Sequence, residues 1–373
     1  MGTRRDRLCR GVPRHMERLR SVGFKHILFG RSDVLGLDVG CASVKMIGLR
    51  KDDAGYAVTA AGIAEIEASE ENGGLIQRRD TVRAIRRCIA QTAVRTKLVV
   101  CSLSGPEVVV RDFEFPSMVA EEIQGAIELE ASEVCPFNTG YSAVDYQLMP
   151  DEGAEVHGIL VAATNDLIDD RLNVAKEASL DCAIIDVDGL ALLNCFTEFE
   201  KPEPGKAVFI LNIGSERATV AILSEEGRPF VRDMTYAGNA IIELIASENE
   251  CSVEDVRRVL VGGTAEELAP FRDSLRRACR KIADDVRSTS RFHKSQHNTG
   301  EFECVHVCGG FALVDGFVET LNEELPIEAK IWNPFEKVRL DPKRKRNESE
   351  AEDILRSQGP AMAVAAGLAL RTV

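Results

Sequence analysis

Two stretches of this chain, far apart in order, carry the same arrangement of groups able to bind an anion. In the first, Leu35-Gly36-Leu37-Asp38-Val39-Gly40 runs through Cys41-Ala42-Ser43 into Val44-Lys45-Met46-Ile47-Gly48-Leu49. In the second, Phe209-Ile210-Leu211-Asn212-Ile213-Gly214 runs through Ser215-Glu216-Arg217 into Ala218-Thr219-Val220-Ala221-Ile222-Leu223. Each reads as an apolar strand, an acid or its amide, a glycine turn and a second apolar strand. Backbone N–H groups in tight turns converge on anions, so two such hairpins facing one cleft would grip a polyphosphate. Gly40, Cys41 and Ala42 offer N–H groups, Ser43 a hydroxyl, and Lys45 a point charge for phosphate. Asp38, at the end of its strand, is the candidate to hold Mg²⁺ through water. Gly214, Ser215 and Glu216 mirror Gly40, Cys41 and Ala42. Asn212 stands where the first hairpin has Asp38. An amide has no charge for Mg²⁺ and cannot act as a base near neutral pH, although it can donate to a phosphate oxygen. One acid and one amide suit binding better than hydrolysis.

Two further pieces complete a nucleotide cradle. Gly309-Gly310 follows the apolar run Val305-His306-Val307-Cys308 and leads into a helical pattern, where glycines let a flat base or ribose lie against backbone. Asp188, just after the run Cys182 to Val187, has two readings of equal weight: it orients a water, or it caps the following helix.

The surrounding pattern supplies the elements that must hold these groups. After the first hairpin, 53–66 reads as a third strand with Gly55 in the turn. Val82, Ile85, Ile89 and Ala93 then give helical spacing over 80–93, and 97–103 is a short strand, so the first unit is an α/β layer. A segment of different character follows. Residues 107–115 alternate as a strand. Pro116 and Ser117 open a helix with Glu121 and Glu122 in its first turns, Ile123, Ile127 and Val134 as its stripe and Pro136 as its stop. Residues 141–149 and 156–163 form a hairpin across Asp151-Glu152-Gly153, and Asn165 caps a helix reaching Ser179. This βαββα insert of roughly eighty residues is the size of one subdomain. Lys201-Pro202-Glu203-Pro204-Gly205 is a stiff polar linker. Beyond the second hairpin, 240–246, 254–260, 266–292 and 311–324 read as helices and 326–331 as a strand. Lys343-Arg344-Lys345-Arg346 beside Glu348 and Glu350 reads as a solvated loop. After Gly359-Pro360, the small residues of a closing helix over 361–370 allow very close backbone packing.

A chain of 373 residues exceeds what one core normally serves, so two domains are expected. A net charge of −14 argues against nucleic acid as the main partner. No apolar run reaches the roughly 18 residues of a membrane span. Eleven unpatterned cysteines point to a reducing cytosol, and packing is the expected role of Cys304 and Cys308. The start is basic, with Arg4, Arg5, Arg7, Arg10, Arg14, Arg18 and Arg20. It reads as an arm for anionic lipid, or as a tail or misassigned start without such a role.

Taken together, the two hairpins, Asp188, Gly309-Gly310 and the closing helix resemble the actin-like ATPase superfamily, which includes actin, the heat-shock 70 chaperones, sugar kinases and the division protein FtsA. The insert narrows the likeness. Ser104-Gly105-Pro106, Phe115-Pro116, Ile127-Glu128-Leu129-Glu130-Ala131, Pro136-Phe137, Asp145-Tyr146, Asp186-Val187-Asp188, Arg232-Asp233, Gly238-Asn239 and Asn333-Pro334-Phe335 are similar to the type IV pilus assembly protein PilM family. The resemblance runs from Val34 onward. It implies an α/β actin-like fold of two ribonuclease-H-like lobes around a nucleotide cleft, with a βαββα insert. The lobes would divide as a first lobe at 34–102 and 182–204, the insert at 103–181, a second lobe at 205–353 with an insert of its own at about 237–301, and a closing helix at 354–373. It further implies ATP and Mg²⁺ as cofactors, with Gly238 among the cofactor residues. The implied location is cytoplasmic, peripheral to an inner membrane. The implied partners are the cytoplasmic tail of a PilN-like membrane protein, docking between the first subdomain and the insert, and other platform proteins, with room for a homodimer. Type II secretion and DNA uptake share such platforms. The family usually has an acid at the place of Asn212 and Glu-Pro at that of Asp188-Gly189. Both departures bear on hydrolysis more than on binding. A nucleotide-gated adaptor is therefore the first reading. A scaffold without nucleotide and a sugar-kinase-type phosphotransferase are the alternatives.

Overall fold

The computed structural model describes residues 34–67, 74–92, 94–149, 155–297, 300–341 and 348–372. The basic arm, the Asp151-Glu152-Gly153 turn and the Lys343–Arg346 run lie outside these residues. Strands β1 (Leu35–Val39), β2 (Ser43–Asp52), β3 (Gly55–Glu65) and β4 (Leu98–Leu103) open the chain. β5 (Val108–Phe115), β6 (Ser142–Leu148) and β7 (Val156–Thr164) form a separate antiparallel sheet in the order β5-β7-β6. β8 (Asp181–Val187) returns to the first sheet. β9 (Val208–Ile213), β10 (Ala218–Leu223), β11 (Pro229–Met234), β12 (Val305–Cys308) and β13 (Ala329–Ile331) make the other large sheet, and β14 (Arg339–Leu340) pairs with β3.

The repeat seen in the sequence is a repeat of topology. One sheet runs β3-β2-β1-β4-β8 and the other β11-β10-β9-β12-β13, each with an antiparallel hairpin at its heart and parallel strands beyond. Continuous apolar runs such as Val208 to Leu211, buried on both faces, suit such central strands.

The two sheets share a core. The helices Asp188–Glu200 and Ala363–Ala369 lie between them, with Ile47 and Val58 on one side and Ile210 and Ala221 on the other. The small residues of the closing segment serve the close packing expected of them. A Cβ on Gly367 would fall 1.9 Å from the carbonyl oxygen of Ala191, so only a bare backbone fits there. Among the described residues no helix is long and apolar enough to cross a membrane, and the ten described cysteines are all free.

Several expected boundaries move for identifiable reasons. Asn165 is not a cap; it is the first residue of the helix Asn165–Glu177, whose N-cap is Thr164. The helix expected over 266–292 is divided, because Pro270 lacks an N–H to donate. A 3₁₀ turn, Ala269–Phe271, separates Ala265–Leu268 from Arg272–His297. The helix expected over 311–324 is likewise a 3₁₀ turn, Gly310–Leu313, followed by Phe317–Glu324, with Gly316 at φ +77° between them. The closing helix is a 3₁₀ turn, Gly359–Met362, then Ala363–Ala369. Residues 339–340, expected in the second lobe, already pair with β3 of the first.

Candidate functional site

Both hairpin turns close in the same way. The Gly40 N–H donates to the Ser43 carbonyl at 3.1 Å, and the Gly214 N–H to the Arg217 carbonyl at 2.9 Å. Among the described residues nothing accepts from the N–H groups of Cys41, Ala42, Ser215 or Glu216, so each turn presents unclaimed donors. Asp38 and Lys45 are cross-strand partners joined by an ion pair of 3.2 Å, and both side chains are largely buried. On the other side Asn212 faces Thr219. The turns lie close together: the Glu216 carboxylate is near enough to the Cys41 thiol to act on its proton. Burial first, and then the nearby Glu216 carboxylate, push the thiol up to about 12, so Cys41 keeps its proton. The Asp38 and Asn212 turns therefore share one crevice.

The crevice floor is the start of the helix Asp188–Glu200. Asp188 does not cap it; Asp188 is its first residue, and Val187 is the N-cap without a side-chain bond. Instead the Asp188 carboxyl lies near the Ser102 and Ser104 hydroxyls, at and just beyond the end of β4, which favour its charged form. Burial, then the charge of Asp38 and, more weakly, that of Asp233, raise it to about 7 against the effect of those serines. The residue thus exchanges a proton near neutrality.

The second hairpin is braced from behind. Gly238 opens the helix Gly238–Glu248, and its N–H is used on the Gly214 carbonyl at 3.1 Å, while the Asn239 N–H donates to the Ser215 carbonyl at 2.6 Å. Gly238 supports the turn and does not offer it a free donor. The Asn212 side-chain oxygen lies 3.8 Å from the Cys308 thiol, which can donate to it. Gly309 has φ +93°, and a Cβ there would fall 2.3 Å from the Ile213 carbonyl oxygen and 2.6 Å from the Asn212 amide oxygen. Glycine at 309 lets β12 lie flush against the second hairpin, while Gly310 begins the 3₁₀ turn and has open space around it.

Several residues at the crevice were not singled out by their types. Arg217 donates to the Ser104 carbonyl at 3.0 Å. Asp233 accepts from the Gly105 N–H at 2.5 Å and from the Thr219 hydroxyl at 2.6 Å. Arg171 donates to the Val39 carbonyl at 3.1 Å. Arg217 lies in the quoted second hairpin but outside the trio Gly214, Ser215 and Glu216 matched to the first turn; its charge beside that trio was the signal that could have found it. Asp233, quoted above only within the family-like pair Arg232-Asp233, and Arg171 arrive from remote elements; Arg171 carries no local signal.

The donor set suits a phosphate chain with its cation. Unclaimed N–H groups line both turns, Lys45, Arg171 and Arg217 bring positive charge, and Asp38 is the acid that could hold Mg²⁺ through water. Among the described residues the one trio of side chains spaced to ligate a metal directly, Glu114, Glu155 and His157, lies elsewhere, on the insert sheet.

The sequence model of the family described as "Type IV pilus assembly protein PilM" matches residues 36–373. Among solved structures, the chain is similar to one titled "PilM-PilN type IV pilus biogenesis complex", at 24% identity and a TM-score of 0.76, over 91% of this chain and 98% of that one. It is also similar to the ethanolamine utilization protein EutJ from Carboxydothermus hydrogenoformans, at 11% identity and a TM-score of 0.52, over 95% of this chain and 98% of that one. A diol dehydratase-reactivating factor in nucleotide-free form gives 10% identity and a TM-score of 0.52, over 91% and 99%. At such identities these likenesses speak to the fold alone, which is that of the actin-like ATPases.

Proposed function

The chain belongs to the family of the type IV pilus assembly protein PilM, and on that premise we propose that it is an ATP-binding adaptor of a pilus assembly platform, working at the cytoplasmic face of an inner membrane. The observation that carries this reading is the pair of equivalent turns, each with unclaimed N–H groups, brought close together where Glu216 acts on Cys41. In this reading the Cys41, Ala42, Ser215 and Glu216 N–H groups bind phosphate oxygens, Lys45 neutralises them, and Asp38 orients the water shell of Mg²⁺. Gly310, with open space around it, leaves room for the nucleoside, while Gly309 packs β12 against the second hairpin. ATP, when bound, supplies the polyanion and Mg²⁺ the divalent charge that these residues answer. With Asn212 uncharged, the second hairpin adds binding and no second acid, so turnover is expected to be slow or absent.

We place the partner, the tail of a PilN-like membrane protein, between the first lobe and the insert. A concavity of about 410 Å³ there is lined by Arg79, Val82 and Arg83 of the helix Gly74–Thr92 and by Glu177 of the helix Asn165–Glu177. Lobe closure on nucleotide would then reshape the groove, and a coupling of about 1–3 kcal/mol suffices for a switch. Titrating a PilN-tail peptide into the full chain with and without Mg-ATP tests this; equal affinities refute gating. Asn212 favours a second reading, a scaffold that binds no nucleotide. Thermal unfolding separates the two, since a ligand at 100 times its dissociation constant adds about 2.7 kcal/mol.

A further inference from the structure

Arg217 is half-buried at the crevice, and its guanidinium is neutralised by no carboxylate among the described residues. It donates instead to a neutral acceptor, the Ser104 carbonyl. The contact is intimate: a Cβ on Gly105 would fall 2.9 Å from the guanidinium carbon, and Gly105 holds φ +109°. From the other side Asp233 accepts from the Gly105 N–H at 2.5 Å, fixed by its bond from Thr219. Two second-lobe side chains thus grip the turn at Ser104-Gly105. That turn is where the chain leaves β4 and enters the insert at β5. Arg217 also belongs to the second hairpin turn, and its charge is felt at Cys41 on the first.

We propose that Arg217 is a phosphate-sensing residue that holds the root of the insert through the Ser104 carbonyl and releases it for a phosphate oxygen of a bound nucleotide. The inference rests on the nucleotide reading above and adds the link from that site to the insert. The physical reason is a difference in acceptors. A guanidinium–phosphate bond is charge-assisted and roughly twice as strong as one to a neutral carbonyl. With phosphate between the turns, Arg217 leaves Ser104, and of the two second-lobe side chains only Asp233 still holds the Gly105 turn. The insert then gains freedom relative to the second lobe.

Hydrogen exchange on the full chain tests this, read by mass spectrometry at 40–43 and at 103–110, with and without saturating Mg-ATP. In the wild type, Mg-ATP should slow exchange at 40–43 and speed it at 103–110 about tenfold, the size of losing one charged hydrogen bond. Arg217→Ala should exchange fast at 103–110 without nucleotide and show no further change with it. Arg217→Lys, which keeps the charge and loses the planar fork, should also exchange faster there, and it serves if the alanine variant folds poorly. Slowing at 40–43 with no change at 103–110 overturns the inference and leaves the nucleotide reading standing. Variants that exchange like the wild type without nucleotide overturn it too. No slowing at 40–43 removes the nucleotide reading, and the inference falls with it.

Discussion

Replacing Asp188 by asparagine should stabilise the protein, and increasingly so as pH rises. Asparagine keeps the shape of the protonated carboxyl and still faces Ser102 and Ser104. It has no proton to lose. The native chain holds the Asp188 proton up to about 7, whereas an unfolded aspartate gives it up near 3.8. Between those values the native state binds more protons than the unfolded one, so stability falls as pH rises and levels off above about 7. At about 1.4 kcal/mol per pH unit, the full interval is worth about 4 kcal/mol. Asp188 is partly open to solvent at the crevice, which lowers the expected value to about 2–4 kcal/mol. Urea unfolding of both proteins at about pH 5.5 and about pH 8.5 measures it: the advantage of Asp188→Asn should widen by roughly 2 kcal/mol over that range. A difference that stays constant with pH, or a variant that loses ground at the alkaline end, would mean that Asp188 is ionised in the fold and held by a counter-charge. The account of the crevice floor would then be wrong.

The other predictions concern the turns. Asp38→Ala should weaken Mg-ATP binding about 10–100-fold, the usual effect of removing a group that orients a metal's shell, and Asn212→Ala should weaken it less; isothermal titration gives the order, and the reverse order would place the metal on the wrong hairpin. Glu216→Gln should speed alkylation of Cys41 at about pH 8, because the facing carboxylate helps hold the proton on the thiol; peptide mapping reads it, and an unchanged rate would mean that the two turns do not face each other. Gly309→Ala should cost roughly 3 kcal/mol or more in urea unfolding, since a Cβ would meet the Ile213 carbonyl at 2.3 Å on a backbone at φ +93°. A loss under about 1 kcal/mol would show that β12 can shift aside.

Much of the architecture was legible because it is written locally. The Asp38 and Asn212 hairpins are short-range structures, and their likeness survives in residue type and spacing. The same holds for β5 to β7 and for the small residues that pack at Gly367. Other features were hidden because they depend on what meets what. The long helix expected over 266–292 is broken at Pro270, a local signal outweighed by the charged helical pattern around it. The strand β14 is only two residues, too short to show a period, and exists because β3 offers an edge. Asp188 looked as much like a cap as like a crevice residue. The choice was made by Ser102 and Ser104, more than eighty residues earlier in the chain.

By itself the sequence determined the two glycine turns, their order, the amide in place of a second acid and the family to which they belong. These are properties of neighbouring residues, and local backbone preferences enforce them. Only the tertiary structure decided that Glu216 lies beside Cys41, that Arg217 and Asp233 hold the Ser104-Gly105 turn, and that Asp188 keeps its proton to about 7. Each of these depends on charges and donors brought together from remote parts of the chain. Electrostatic fields and hydrogen bonds act through space, and the spacing of residues along a chain does not record that distance.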